Sequence, residues 1–209
     1  MRAFISALSC FSLIGLLLLV TFSTGFSQDR PEAAVSRDLR REWYDLARGR
    51  FDFEVSELSQ VPRSLSLAAN HYDCDYAKGL EMKPIHFLRS ANRRLAIVAC
   101  WKAVKSPQHV FDLSDLQKPI ELQFPTAAYP DGFTASNAAP GLLTWDREAD
   151  VFRAETASDM VPSPRARYTY RLDGMNAFTV LRVEFQRADV EEWTTIWDAP
   201  RWSSLTKPN

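Results

Sequence analysis

The chain has 209 residues, with 25 Lys+Arg against 26 Asp+Glu and a hydrophobic share of 46%. A net charge of −1 leaves no electrostatic footprint for DNA or RNA, and no polybasic tail for an anionic membrane surface. Length and apolar content suffice for one domain with a core of its own.

Residues 1–27 read as a secretory signal peptide. Met1-Arg2 gives a positive start, Ala3 to Phe22 is apolar almost throughout, and Gly25-Phe26-Ser27 puts small residues where a signal peptidase cuts. The expected mature chain, residues 28–209, is a single β-rich domain. Only Arg2 among the charged residues leaves, so 24 bases face 26 acids. Left uncleaved, the segment is long enough to serve as an anchor, and this is the one membrane contact expected. Cys10 lies before the densest apolar stretch, whereas a lipoprotein cysteine follows it. In either case the body works outside the cytoplasm, in the periplasm or secreted.

Asp29-Arg30-Pro31-Glu32 is a helix start, with Asp at the cap and Pro in the first turn. Val35, Leu39, Trp43 and Leu46 then recur at helical spacing, and Gly49 closes the segment. One N-terminal amphipathic helix is predicted at about 31–48.

From Phe51 the period changes to two. Leu65, Leu67 and Ala69 read as one strand face, and Tyr72, Cys74 and Tyr76 continue on the opposite parity, which predicts a bulge near Ala69-Asn70. Pro84 to Leu88 and Arg94 to Val104 form a hairpin about Ser90-Ala91-Asn92. Its second strand is apolar on both parities, the pattern of a central strand covered on both sides. Further pairs are His109–Leu113 with Ile120–Phe124, Leu142–Trp145 with Val151–Glu155, and Arg167–Leu172 with Ala177–Gln186. The tail, Asp189 to Trp202, is read as holding a short helix. The fold class is mainly β: an antiparallel β-meander arranged as a sandwich, an open barrel or propeller-like blades.

Thr126 to Gly141 has no strand periodicity and reads as a long loop. Tyr129 and Phe133 on it are candidate binding-loop residues, with folding back onto the body as the plainer alternative. Thr156 to Ala166 is the second long connection.

With Cys10 removed, Cys74 and Cys100 are an even pair in an oxidising compartment, and a disulfide is expected between them. His71, Asp73 and Asp75 invite a metal reading. Alternate strand residues lie about 6.6 Å apart, too far for three in a row to converge on one ion. No metal or cofactor site is assigned. Asp146 to Asp150 resembles half a calcium loop, but Val151 stands where the turn glycine belongs, so a hairpin turn is the better reading. There is no G-x-S-x-G, no H-E-x-x-H and no phosphate-cradling glycine loop. His71, His86 and His109 read as strand-face or core histidines, and no catalytic residue is assigned. Trp193, Trp197 and Trp202, with Tyr168 and Tyr170, form either an aromatic platform or, more simply, one end of the core.

Three C-terminal stretches carry a resemblance: Leu143-Thr144-Trp145-Asp146 to Phe152-Arg153-Ala154-Glu155, then Arg167 to Gly174, then Glu192 to Pro200. Roughly residues 143–200 resemble a family of exported bacterial proteins known only as a domain of unknown function. The resemblance implies a periplasmic address and a bacterial source, with no activity to carry over. The expectation is therefore an exported, non-enzymatic binding or envelope-associated module, its partner an unknown protein or envelope component. The alternatives are an inhibitor or immunity-type protein that inserts the Thr126 to Gly141 loop into a hydrolase, and a hydrolase or metal enzyme assembled only in space.

Overall fold

The stretch that is apolar on both parities, Arg93–Ala99, sits at the centre of a five-stranded antiparallel sheet. Its strands are β1 (Phe53–Val55), β2 (Ile85–Ser90), β3 (Arg93–Ala99), β4 (Gln108–Asp112) and β5 (Ile120–Glu121), in that spatial order. A second five-stranded meander holds β8 (Leu142–Asp146), β9 (Val151–Glu155), β10 (Arg165–Arg171), β11 (Thr179–Gln186) and β12 (Thr194–Asp198). Between them in the chain lies a two-stranded ribbon, β6 (Phe124–Ala128) and β7 (Gly132–Ser136). This computed structural model describes Arg41, Trp43, Tyr44 and residues 52–102, 106–128, 132–156, 165–173 and 176–200. All of them belong to one unit, Ser36–Asn209. The chain is mainly β, and the described strands form no closed barrel.

The first sheet is buried on both faces, as the double-parity pattern of β3 predicts. Leu88, Leu95, Ile97 and Val110 share one core with Leu143, Phe152, Tyr170, Phe178 and Val180 of the second meander. Phe87, Ala96, Val98 and Phe111 face the other way, onto a helical layer that supplies Trp43, Leu65, Ala69 and Leu80. The second meander buries only one face, so its strands alternate: Tyr168 and Tyr170 point in, Arg167 and Arg171 point out.

The helical layer corrects the sequence reading. The predicted bulged strand, Leu65 to Tyr76, instead spans α1 (Arg63–His71) and the connection to α2 (Tyr76–Met82). Leu65 and Ala69, four apart, are each 1% exposed, whereas Leu67 between them is 60% exposed. The relevant period was 3.6, and the alternation through Leu67 was coincidental. The expected bulge at Ala69-Asn70 is therefore helix interior. Asp75 caps α2, its side chain accepting from Lys78 N at 3.2 Å. Of the predicted N-terminal helix, Arg41, Trp43 and Tyr44 are helical, and Trp43 is buried with its indole donating to Ser64 Oγ at 3.2 Å. The rest of 31–48 lies outside the described residues, as does the predicted signal peptide. No described helix is long and apolar enough to cross a membrane.

The Cys74–Cys100 disulfide is present. Neither cysteine sits in a strand, however: Cys74 occupies the connection between α1 and α2, and Cys100 follows the end of β3. Asp75 and Trp101 pair beside the bridge, with Trp101 N donating to Asp75 O at 3.1 Å. The bridge thus fastens the helical layer to the central strand. Its sequence separation of 26 residues corresponds to about 3 kcal/mol in the chain-entropy view. The Cys74→Ser/Cys100→Ser variant should lose stability of that order in urea titrations monitored by tryptophan fluorescence. An unchanged midpoint would show that the bridge constrains nothing in the unfolded chain.

Two other expectations change. The tail forms strand β12 rather than a helix, pairing with β11 across a bulge between Val183 and Glu184. The Thr126 to Gly141 loop is largely the β6–β7 ribbon. Alternation is weak there because β7 is exposed on both faces, so no apolar period marks it. The ribbon is rooted in the core by Phe124, and the Tyr170 hydroxyl donates to Pro125 O at 3.0 Å.

Gln108 on β4 joins the two meanders. Its side-chain carbonyl accepts from Leu143 N at 2.8 Å, and its backbone carbonyl accepts from Ala139 N at 2.8 Å. At the β2–β3 turn, Ala91 and Asn92 both have positive φ, the geometry of a two-residue hairpin turn. Ala91 N donates to Asp150 Oδ2 at 3.0 Å, and Trp145 Nε1 donates to Asp150 Oδ1 at 3.3 Å, which ties the two hairpin turns together.

Candidate functional site

The outward face of the second meander carries a cross-strand array of charge. Pairing aligns Leu142, Glu155, Arg167, Glu184 and Thr195 in one row across the sheet. The next row is Thr144, Arg153, Thr169, Arg182 and Asp198. Strand alternation, reset on β12 by the bulge between Val183 and Glu184, puts all ten on the face opposite the core.

At the β8–β9–β10 end this face hollows into an open concavity of about 430 Å³. Leu142 and Thr144 line it from β8, Arg153 and Glu155 from β9, and Thr156, Arg165 and Arg167 complete it. Its volume falls within the range of small-ligand sites. Glu155 is at the centre. One carboxylate oxygen pairs with Arg165, and the other with Arg167 at 3.3 Å. Arg167 also reaches Glu184 at 3.8 Å, and Arg153 reaches Asp146 at 2.9 Å. Trp193 lies over these guanidiniums, its ring centroid 4.0 Å from Arg167 Cζ and 5.5 Å from Arg165 Cζ. Cation–π stacking of this kind fixes the plane of a guanidinium. Arg165 Nε is buried and has no hydrogen-bond partner, although Arg165 Nη1 donates to Gln186 Oε1 at 3.4 Å.

The array has no nucleophile–base pair. It can hold a ligand through planar donors, one central acceptor and the exposed Leu142 side chain. As a source of stability it is modest, because exposed ion pairs contribute roughly 0–1 kcal/mol each.

The residues singled out from sequence are dispersed. Cys74 and Cys100 are consumed by the disulfide, on the far side of the first sheet from the concavity. Tyr129 lies outside the described residues. Phe133, on β7, is 39% exposed and packs edge-on against Trp197 at 5.2 Å, so this side chain folds back on the body. Tyr168 and Tyr170 are buried, and Trp197 packs against the core, so these three form no platform. Trp202 lies outside the described residues. Among the described members of this group, Trp193 reaches the outer face. Its neighbours Arg165, Arg167 and Glu155 were not singled out from sequence, although the strict polar alternation of Arg165, Arg167, Thr169 and Arg171 marks their face.

The histidines also separate. His86 Nε2 lies 3.1 Å from Asp52 Oδ1, and Arg147 Nη1 donates to Asp52 Oδ2 at 3.3 Å. His71 ends α1, exposed. His109 Nδ1 lies 2.5 Å from Glu121 Oε1, and the second oxygen of Glu121 is buried without a partner. Among the described residues, no group of three or more His, Cys, Asp and Glu could hold a metal ion.

Asp146 to Asp150 is a hairpin turn, as read from sequence. Asp146 Oδ1 accepts from Ala149 N at 3.1 Å and from Glu148 N at 3.2 Å. The Ala149 amide is the main cause that holds the Asp146 carboxyl below its ordinary value of 3.8. Burial opposes it, and Arg153 and the Glu148 amide assist it. A depressed carboxyl stabilises the turn above the ordinary carboxylate range and loses that contribution as pH falls through the lowered value. NMR titration should therefore show the Ala149 and Glu148 amide shifts moving together, with a midpoint below 3.8. A midpoint at or above the ordinary value would contradict the assignment.

No protein-family model, curated protein or solved structure matches this chain. The resemblance of residues 143–200 to exported bacterial proteins therefore gives no family membership, and the function is argued from the site.

Proposed function

We propose that this chain is an exported, non-enzymatic binding module of the bacterial periplasm, and that it contacts an envelope component through the outer face of its second meander. The observation that carries the reading is the concavity built on Glu155, Arg165 and Arg167, with Trp193 stacked beside it. That surface belongs to a sheet whose other face is core, so the array stands on a rigid support. The signal-like segment at residues 1–27 and the disulfide favour an oxidising compartment.

Cosedimentation with isolated cell envelopes tests the reading. The mature wild-type protein should pellet, and the Arg165→Ala/Arg167→Ala variant should stay in the supernatant. Equal pelleting of both removes the concavity from the function, and no pelleting of the wild type removes the envelope partner. Finding Gln28 at the N-terminus of the exported protein by mass spectrometry would support the address; an intact Met1 on a chain confined to the cytoplasm would oppose it.

The inhibitor reading keeps one supporting observation: β7 is almost wholly exposed on a ribbon that pairs with neither five-stranded sheet. Undiminished activity of a lysozyme mixed with equimolar protein would remove its most direct form.

A further inference from the structure

The concavity lies among arginines, which at first sight points to an anionic ligand. Its pairing points elsewhere. Each of the three arginines that line it already faces a carboxylate: Arg153 faces Asp146, Arg165 faces Glu155, and Arg167 faces both Glu155 and Glu184. Glu155 lines the concavity, and Asp146 and Glu184 flank it, so pairing weakens the positive field that three arginines alone would present to an anion. An incoming anion would also meet the Glu155 carboxylate between Arg165 and Arg167, the position it would need to occupy.

We propose that the ligand is an uncharged polyol, a neutral oligosaccharide segment, recognised through its hydroxyl pairs. The inference rests on the concavity being the binding site. A sugar hydroxyl both donates and accepts. Alternating guanidinium and carboxylate groups offer donors and acceptors to it side by side, as charge-assisted hydrogen bonds. The ion pairs and the Trp193 stack hold these planar groups in place before a ligand arrives, which lowers the ordering cost of weak polar recognition. The accessible donors are the terminal guanidinium nitrogens of Arg165 and Arg167, which already face Glu155. Leu142, 56% exposed, gives the concavity an apolar surface for the C–H face of a sugar ring. Glu155, Arg165 and Arg167 are contact residues in this reading, and Trp193 is a positioning residue.

Calorimetric titration of the mature protein separates the possibilities. The probes are soluble N-acetylglucosamine, cello- and malto-oligosaccharides, with inorganic phosphate and citrate as anions. At least one neutral oligosaccharide series should bind, with affinity little changed between low and high salt. Glu155→Gln should weaken that binding about tenfold, equivalent to about 1.4 kcal/mol. Trp193→Ala should weaken it while circular dichroism stays unchanged. Were the site anionic, Glu155→Gln would instead strengthen phosphate or citrate binding, and salt would abolish it. That result, or wild-type protein binding no neutral oligosaccharide, overturns the inference. Envelope pelleting that still depends on Arg165 and Arg167 would then leave the binding-module reading standing without its sugar.

Discussion

Gly79→Ala should be the most damaging small substitution in the helical layer. A Cβ at Gly79 would lie 1.7 Å from the Ala99 carbonyl oxygen and 2.6 Å from its carbon. Both are backbone atoms at the end of β3, so no side chain can swing aside. Either α2 must lift or β3 must bend. The disulfide and the Asp75–Trp101 pairing resist the first, and the central position of β3 resists the second. Overpacking in a close-packed interior costs about 3 kcal/mol or more when the obstacle is rigid. The expected outcome is a large fall in the urea midpoint, or failure to accumulate as folded protein. The neighbouring exposed substitution Glu81→Ala should leave the midpoint within about 0.5 kcal/mol of wild type. A Gly79→Ala protein of normal stability would mean that α2 does not approach β3 as closely as described.

The second large effect is expected at His109 and Glu121, and it should be asymmetric. The Glu121 side chain is 1% exposed and that of His109 is 13% exposed. Glu121 has one partner, His109, and its other oxygen has none. His109→Ala leaves a buried carboxylate with nothing to bond, which costs on the order of 3–5 kcal/mol. Glu121→Gln keeps an acceptor for the imidazole and removes the charge, so it should cost about 1 kcal/mol or less. A His109→Leu/Glu121→Leu double substitution should recover most of the His109→Ala loss, since a well-packed apolar pair replaces a buried hydrogen-bonded polar pair at little cost. Equilibrium unfolding of the four proteins measures all three statements. Equal losses for His109→Ala and Glu121→Gln would show that the charge is not the issue, and that the two side chains act only as packing.

What was legible in the sequence followed from how each segment is buried. Arg93–Ala99 is apolar on both parities, and both of its faces are covered. Strands β8 and β10 alternate because one face is core and the other is solvent, whereas a bulge sets the core residues Val180 and Val183 of β11 three apart. Short helices were not legible. Over seven to nine residues, the positions i and i+4 of a helix are also i and i+4 of a strand, so Leu65 and Ala69 satisfy both periods. Only the exposure of Leu67 decides between them. The ribbon was missed for the opposite reason, since β7 buries almost nothing and so has no pattern. The disulfide was legible from the cysteine count and the expected compartment, but not its setting beside a helix. The concavity was the least legible feature. Glu155 and Arg165 are separated in sequence by a long connection and meet only because β9 and β10 pair. A site made by strand pairing has no local spacing to find.

The seam at Gln108 also occupies part of the β8 edge. A sheet edge is dangerous when its outward amides lie open, because another strand can dock there and extend the sheet. At the β8 edge, the Leu143 amide is already taken by a side chain from the neighbouring sheet, so a docking strand would find that donor occupied. Replacing Gln108 by Leu would therefore do more than loosen the joint between the sheets. It would leave the buried Leu143 amide without an acceptor on the edge strand, next to the exposed Leu142.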